Sequence, residues 1–224
     1  MRYILLTSKN WHNNLFRSLS ESMPSEWMHI SQKEEFTSEK LKAIDPEYIF
    51  IPHWSHIIPD DIVENYRCII FHMTDLPFGR GGSPLQNLIV RGFTETKISA
   101  IRAGKGIDAG EIYLKHPLSL YGSAEEIFVR SAKVINIMIR KIIDENPQPY
   151  PQEGTVTTFK RRKAEESDIA PLETIEHLYD YIRMLDCEGY PNAFAEIGNF
   201  RIEFRKAAIK ADESILANVR ITKK

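Results

Sequence analysis

The chain is organised around the stretch Cys68-Ile69-Ile70-Phe71-His72-Met73-Thr74-Asp75-Leu76-Pro77-Phe78-Gly79-Arg80-Gly81-Gly82-Ser83-Pro84. Its first four residues are apolar and predict a buried strand that delivers His72 at its end. A loop rich in glycine and proline follows, as is typical of a tight turn. The segment from Ser83 to Gln86 then predicts the start of a helix, with a capping box between these two side chains.

A second apolar run, from Lys97 to Ala103, predicts another strand, and the loop after it contains Asp108 between glycines. Two strands therefore present a histidine and an aspartate in glycine-rich loops. Open α/β sheets bind their ligands at such a sheet edge. We expect His72 and Asp108 to share one site.

Short apolar strands alternate with helical segments from the N-terminus to about residue 145, and this alternation predicts an α/β fold with a doubly wound, mostly parallel sheet. The proline-rich segment 146–154 is typical of a linker. We therefore predict a catalytic domain over residues 1–150. A small C-terminal α+β accessory subdomain, with one amphipathic helix and alternating strands, is predicted over residues 151–224.

The composition is that of an ordinary globular protein, with 42% hydrophobic and 27% charged residues among 224. The formal net charge of −2 disfavours a nucleic-acid partner, because phosphate binding requires clustered lysine and arginine. The run Met1–Thr7 is too short for a signal peptide or a membrane span, so we expect a cytoplasmic protein with no membrane contact. No spacing of cysteine or histidine indicates a metal site, and the oligomeric state stays open, a homodimer included.

Several motifs, in order, resemble the formyltransferases that use 10-formyltetrahydrofolate. The matching residues are His72, Leu76-Pro77, Arg80-Gly81, Pro84, Thr94-Glu95-Thr96 and Gly106-Ile107-Asp108-Ala109-Gly110. The similarity extends to Phe159-Lys160-Arg161-Arg162 and Gly189-Tyr190-Pro191-Asn192-Ala193-Phe194. The resemblance implies a Rossmann-like fold and 10-formyltetrahydrofolate as the formyl donor, with no metal.

The resemblance implies that His72 and Asp108 are the catalytic residues for attack of an amine on the formyl carbon. A positioned imidazole can move the proton or bind the developing oxyanion, and a carboxylate beside it orients the ring. The chain departs from the family at Ile70, where the family has asparagine. An aliphatic side chain cannot donate a hydrogen bond, so Thr74, His53 or a loop amide would have to replace that donor.

Two loops match the segments that hold the folate in this family. One wall of the site would comprise Trp54, Ser55, Ile57 and Ile58, and the opposite wall Ala103, Gly104 and Gly106, where small residues allow close approach. The resemblance also suggests Arg80 and Thr74 as residues that bind the acceptor. Arg80 could equally fix its own loop.

Three functions are compatible with the sequence. The first is transfer of a formyl group to a nucleotide-linked deoxy-amino sugar, which the Phe159–Arg162 and Gly189–Phe194 motifs favour. The alternative is a methionyl-tRNA formyltransferase, which the acidic balance of the chain disfavours. A further alternative, supported by Ile70, is a folate-binding protein with lost or weak catalysis.

Overall fold

The computed structural model describes all 224 residues. Its strands are β1 (Arg2–Thr7), β2 (Glu26–Ile30), β3 (Tyr48–His53), β4 (Cys68–His72), β5 (Arg80–Gly81), β6 (Glu95–Arg102), β7 (Ile112–Ser119), β8 (Thr158–Phe159), β9 (Ala193–Ile197), β10 (Phe200–Ile209) and β11 (Ile215–Lys223). Its helices are α1 (Asn13–Ser22), α2 (Ser38–Ile44), α3 (Asp60–Asn65), α4 (Pro84–Ile89), α5 (Ala124–Glu145) and α6 (Ile175–Arg183).

The main sheet has six strands in the order β2-β1-β3-β4-β6-β7. Strand β1 runs parallel to both β2 and β3, and β3 runs parallel to β4, whereas β6 is antiparallel to β4. The predicted α/β fold with a mostly parallel sheet is therefore confirmed. The strand order reverses at β1, because β2 lies on one side of it and β3 on the other.

The core of the main sheet consists of the apolar strand residues that the sequence pattern indicated. Strands β1 and β3 have buried side chains at nearly every position, as expected for parallel strands covered on both faces. Helix α5 buries the predicted apolar stripe, which comprises Ile127, Ala132, Ile135, Met138, Ile139 and Ile142. The helix therefore provides a continuous apolar face, as its 3.6-residue periodicity predicts.

The chain folds as two compact units whose segments alternate along the sequence. The first unit comprises residues 1–81, 96–118 and 129–158, and the second comprises 82–95, 119–128 and 159–224. The second unit contains the antiparallel sheet β11-β10-β9, which confirms the predicted small C-terminal α+β extension. The division of roles at residue 150 stays a prediction.

One predicted helix cap is formed and the other is not. At α5, the Ser123 amide donates to Glu126 Oε2 at 2.8 Å, and the Glu126 amide donates to Ser123 Oγ at 3.3 Å. At α4, Ser83 has a left-handed φ of 49° and no capping bond to the helix. Its hydroxyl instead accepts the Arg162 amide at 3.1 Å, so the capping box predicted there is wrong.

The proline-rich segment 146–154 is an ordered part of the first unit, and its interpretation as a linker is wrong. Tyr150 and Ile112 exchange two backbone hydrogen bonds, of 2.8 and 3.0 Å. Asn146 accepts a hydrogen bond from the Tyr48 hydroxyl at 2.7 Å. The segment is thus attached to the main sheet at two points. None of the helices has the length and apolar character needed to cross a membrane.

Candidate active site

His72 lies at the end of β4 and is only 7% exposed. Its Nε2 atom is 2.8 Å from the Gly79 carbonyl oxygen, which can only accept, so this nitrogen carries the hydrogen. Its Nδ1 atom is 3.4 Å from Asp108 Oδ2. Both ring nitrogens therefore face acceptors, and the ring orientation is fixed from two sides.

Asp108 joins the histidine to the loop that follows it. The same Oδ2 atom that faces His72 also accepts the Gly81 amide at 2.9 Å. Asp108 has a φ of 49°, in the left-handed region that aspartate tolerates better than most residues. The predicted juxtaposition of His72 and Asp108 is thus present in the structure, and the backbone geometry of the second loop makes it possible.

Arg80 reaches this pair through Gln152. Its Nε and Nη2 atoms both donate to Gln152 Oε1, at 3.1 and 2.8 Å. The Gln152 amide nitrogen in turn donates to the carbonyls of Asp108 and Gly110, each at 2.8 Å. These bonds attach the Asp108 loop to the 146–154 segment. In this arrangement Arg80 supports the Asp108 loop through Gln152, and its contact with the acceptor stays a prediction.

Gly110 closes the Asp108 loop at a point where no side chain fits. A Cβ atom built on this glycine would lie 1.7 Å from the Arg102 carbonyl oxygen. The Arg102 amide donates to the Glu111 carbonyl at 2.8 Å, so the backbone of β6 passes directly beside the loop. The glycine is therefore required for the hairpin that carries Asp108.

Thr74 is fully buried, and its hydroxyl donates to the Gly79 carbonyl at 3.3 Å, the same oxygen that faces His72. Its own carbonyl accepts the Ser99 hydroxyl at 2.7 Å. Next to it, Asp75 forms ion pairs with Lys97 and Lys115. Partial burial opposes ionisation of Asp75, but the hydrogen bonds from Lys115 and Lys97 outweigh it and lower the pKa of this carboxyl.

Ile70 lies two residues before His72 in β4, and alternate residues of a strand share one face of the sheet. Its side chain packs against the apolar cluster that contains Leu76 and Ile101, and also against the larger cluster around Ile49. At the position of the family asparagine, the site therefore presents an aliphatic surface beside His72.

The residues predicted to hold the folate are distributed over two regions of the first unit. Trp54, Ile58 and Ala103 pack in one apolar cluster, which also includes Val63 of α3. Gly104 and Ala103 line a pocket of about 480 Å³, together with Val63 and other residues of α3 and the Asp108 loop. By contrast, Ile57 is 93% exposed, and Ser55 and Gly106 are also exposed. None of these three contributes to the lining of the pocket.

Three groups of the site were absent from the sequence prediction: Gln152, the Gly79 carbonyl and the Gly81 amide. Gln152 lies in a segment whose composition indicates only a linker. Backbone groups carry no sequence signal of their own. The three glycines around Arg80 were the available clue, because Gly79 and Gly81 have φ values of 75° and 104° that shape the loop.

Comparison with known proteins gives two family matches. Residues 8–127 match the family model described as formyl transferase, and residues 164–222 match the methionyl-tRNA formyltransferase C-terminal domain. A solved structure, a methionyl-tRNA formyltransferase from Clostridium thermocellum, is 50% identical with a TM-score of 0.97 and covers 100% of both chains.

More distant relatives match only part of their own length. A methionyl-tRNA formyltransferase of Wolinella succinogenes is 28% identical over 157 residues, which are 67% of this chain and 51% of the relative. The chain thus spans about half the length of that curated relative. HypX from Aquifex aeolicus, solved with tetrahydrofolic acid, shares the fold with a TM-score of 0.77 at 16% identity, over 92% of this chain and 38% of its own.

These matches overturn two predictions. The expected nucleotide-sugar acceptor is wrong, because the C-terminal family match and the 50% identical structure both carry the name of the methionyl-tRNA class. The argument against a nucleic-acid partner is wrong for the same reason. A net charge is a sum over the whole chain, and it does not exclude a local basic surface. The first match covers more than half of the chain, and the chain belongs to the formyltransferase family.

Proposed function

We propose that this protein transfers the formyl group of 10-formyltetrahydrofolate to the amino group of methionyl-tRNA. The observation that carries the proposal is the 50% identity to the Clostridium thermocellum protein over the full length of both chains. The match of residues 164–222 to the C-terminal domain of the same class supports it independently of the catalytic segment. Such a substrate implies a cytoplasmic reaction.

In this reaction the amine nitrogen attacks the formyl carbon, a new C–N bond forms, and the bond from the carbon to N10 of the folate breaks. One proton leaves the amine and one arrives at N10. We assign His72 to this proton movement and Asp108 to orientation of the imidazole. The Gly79 carbonyl occupies Nε2 in the structure, so the substrate would replace that carbonyl as the partner of the ring.

The proposed folate site lies between the loop at 54–58 and the loop at 103–106. The shared apolar cluster of Trp54, Ile58 and Ala103 supports this placement, since a pteridine ring requires an apolar wall with accessible backbone groups. The exposed positions Ser55, Ile57 and Gly106 would contact the folate only through the open side of the site.

The oxyanion of the tetrahedral intermediate requires a donor that Ile70 cannot supply. The Thr74 hydroxyl is close to His72 through their common partner Gly79, so it is our preferred replacement among those that the sequence left open. Loss of one such donor typically costs on the order of 100- to 1000-fold in rate. Efficient turnover would therefore require Thr74 or a backbone amide in this role.

The acceptor RNA would need a basic contact surface. Lys160, Arg161 and Lys163 are exposed in the second unit. Arg162, between them, lies over the Tyr181 ring at 5.3 Å from its centroid and is half-buried. We propose that the three exposed cations contact phosphates of the tRNA, which would make binding strongly dependent on salt.

The test is formyl transfer by the purified protein with 10-formyltetrahydrofolate and initiator methionyl-tRNA. We expect formylmethionine on the tRNA, detected by chromatography after deacylation, and none with uncharged tRNA. Combined replacement of Lys160 and Lys163 by glutamine should raise KM for the tRNA without changing folate affinity. Absence of transfer by a folded protein that binds folate would contradict the proposal and support the loss of catalysis.

A further inference from the structure

A cavity of about 410 Å³ lies in the first unit, at the edge of the main sheet where β3 and β4 begin. His72 is the last residue of β4, so the cavity is at the other end of this strand from the proposed reaction. Open α/β sheets bind their main ligand at the carboxyl ends of their strands, and the reaction assigned above does not use this cavity. Its lining comprises Tyr48, Arg67, Arg102, Glu111, Tyr113 and the segment 146–149.

Two guanidinium groups of this lining have no carboxylate partner. Arg67 and Arg102 are both exposed, and neither forms an ion pair within the chain. The Arg102 side chain makes no hydrogen bond within the chain, and the single one of Arg67 goes to the Tyr48 hydroxyl at 3.4 Å. Glu111 supplies the one carboxylate of the lining, so positive charge is in excess. The guanidinium donors are therefore available to a ligand.

Tyr48 holds Arg67 in a defined position. The Tyr48 side chain is buried, and its hydroxyl donates to Asn146 Oδ1 at 2.7 Å while it accepts the bond from Arg67 Nη1. The guanidinium carbon of Arg67 also lies 5.5 Å from the centroid of the Tyr48 ring, which is a cation–π contact. A charged group that is held in place before binding loses less conformational entropy when a ligand arrives. The cavity is thus partly preorganised.

Tyr113 adds a neutral donor to the two cations. It is only 8% exposed, and its hydroxyl has no hydrogen-bond partner within the chain. Burial raises the pKa of Tyr113, and the charges of Arg102 and Arg67 oppose that change without cancelling it. Both guanidinium groups are therefore close enough to act on this hydroxyl, which stays protonated at neutral pH. The three groups come from three separate segments of the chain and converge on one cavity.

Convergent donors with an excess of positive charge select an anion with several acceptor oxygens. The planar guanidinium group matches the oxygens of both carboxylates and phosphates. A carboxylate has two oxygens in one plane, whereas a phosphate monoester has three terminal oxygens that point in different directions and carries close to two negative charges at neutral pH. Three donors on different segments fit the second arrangement. The volume of the cavity exceeds that of a phosphate and lies within the usual range for small-molecule sites, about 300–1,000 Å³.

We propose that this cavity binds the phosphate group of a small phosphate monoester, such as a nucleoside monophosphate. Arg67 and Arg102 each contact a phosphate oxygen, and the Tyr113 hydroxyl donates to the third. The Glu111 carboxylate repels the phosphate, so it accepts from a hydroxyl group on the rest of the molecule. The proposal is independent of the reaction assigned above.

The first test is titration calorimetry of the full chain with inorganic phosphate and with AMP. We expect saturable binding of one equivalent, with AMP bound at least as tightly as phosphate. Arg67→Gln and Arg102→Gln should each raise the Kd for AMP by at least about 10-fold, the usual effect of one charge-assisted hydrogen bond. Tyr113→Phe removes only the hydroxyl and should raise it several-fold. Arg17→Gln, at an exposed arginine on α1 of the same unit, is the matched control. Absence of saturable binding, or an equal effect of Arg17→Gln, would overturn the proposal.

A competition separates a small phosphate monoester from two other anions. Uncharged tRNA and a stable formyl-folate analogue should not displace AMP. Because Arg102 and Glu111 also border the pocket beside α3, the folate comparison uses Arg67→Gln, which should keep the wild-type affinity for the analogue. Displacement by tRNA would show that the phosphate belongs to RNA. Displacement by the analogue would show that folate carboxylates occupy the cavity, and either result would overturn the assignment to a small phosphate monoester.

Discussion

Asp108 Oδ2 lies 3.4 Å from His72 Nδ1 and 2.9 Å from the Gly81 amide nitrogen. One carboxylate oxygen therefore contacts both the imidazole and the loop whose Gly79 carbonyl faces the other ring nitrogen. This geometry connects the histidine and the aspartate to each other and to the loop that carries Gly79 and Gly81.

If His72 and Asp108 act together, their substitutions should not be additive. We expect His72→Ala to lower kcat by on the order of 100- to 10,000-fold, the usual contribution of general acid–base catalysis. Asp108→Asn, which tolerates the left-handed backbone, should cause a similar loss, and the double variant should lose little more. Steady-state kinetics with methionyl-tRNA would measure this. Additive losses would show that the two residues act separately.

The bridge from Arg80 through Gln152 to the Asp108 loop predicts a distinct kinetic effect. Gln152→Ala removes the bonds to the Asp108 and Gly110 carbonyls, and displacement of a catalytic group by about 1 Å can cost up to about 100-fold in rate. We expect a lower kcat with little change in KM. Arg80→Ala should reproduce this pattern. A rise in KM alone would instead identify Arg80 as a residue that binds the acceptor.

Gly104 and Gly110 lie at the two ends of the Asp108 loop, and replacing each by alanine compares an open position with a crowded one. Gly110→Ala would force a Cβ atom against the Arg102 carbonyl and should lower the free energy of unfolding by about 1–3 kcal/mol or more. A Cβ atom at Gly104 would meet nothing within 4 Å. Gly104→Ala should therefore keep wild-type stability in denaturant titrations, and it should weaken folate binding if the ligand lies against this backbone. Equal stability of the two variants would contradict the packing argument.

The burial of His12 should make the free energy of unfolding depend on pH in the acid range. It is fully buried beside Thr7, and burial, followed by the nearby His53 and His29, lowers its pKa from 6.5 to about 3. Between these values the unfolded chain binds a proton that the folded chain excludes, so the free energy of unfolding falls as the pH is lowered from 6.5 towards 3.

His12→Asn should reduce this pH dependence in urea titrations at a series of pH values. The exposed His177 is the matched control, and His177→Asn should retain the wild-type dependence. The same slope in the wild type and in His12→Asn would show that other groups cause the acid sensitivity.

The sequence by itself determined the elements whose signals are local. Apolar runs predicted β1, β3 and β4, and the 3.6-residue stripe predicted α5, because burial of one face imposes these periods directly on the sequence. The pairing of His72 with Asp108 could also be predicted, since each follows a recognisable strand. The family followed from several motifs in the right order.

Only the tertiary structure decided what depends on contacts between distant segments. Ser83 fits a helix cap, yet its hydroxyl accepts the Arg162 amide 79 positions away. Gln152 lies in a segment that resembles a linker, yet it bonds to a loop 44 positions before it. Side chains such as these bond to partly buried backbone groups wherever the fold brings them together, and no local sequence pattern indicates such a partner. The prediction from net charge, that no nucleic acid binds, was wrong for a related reason. A sum over the chain contains no information about where in space the cations lie.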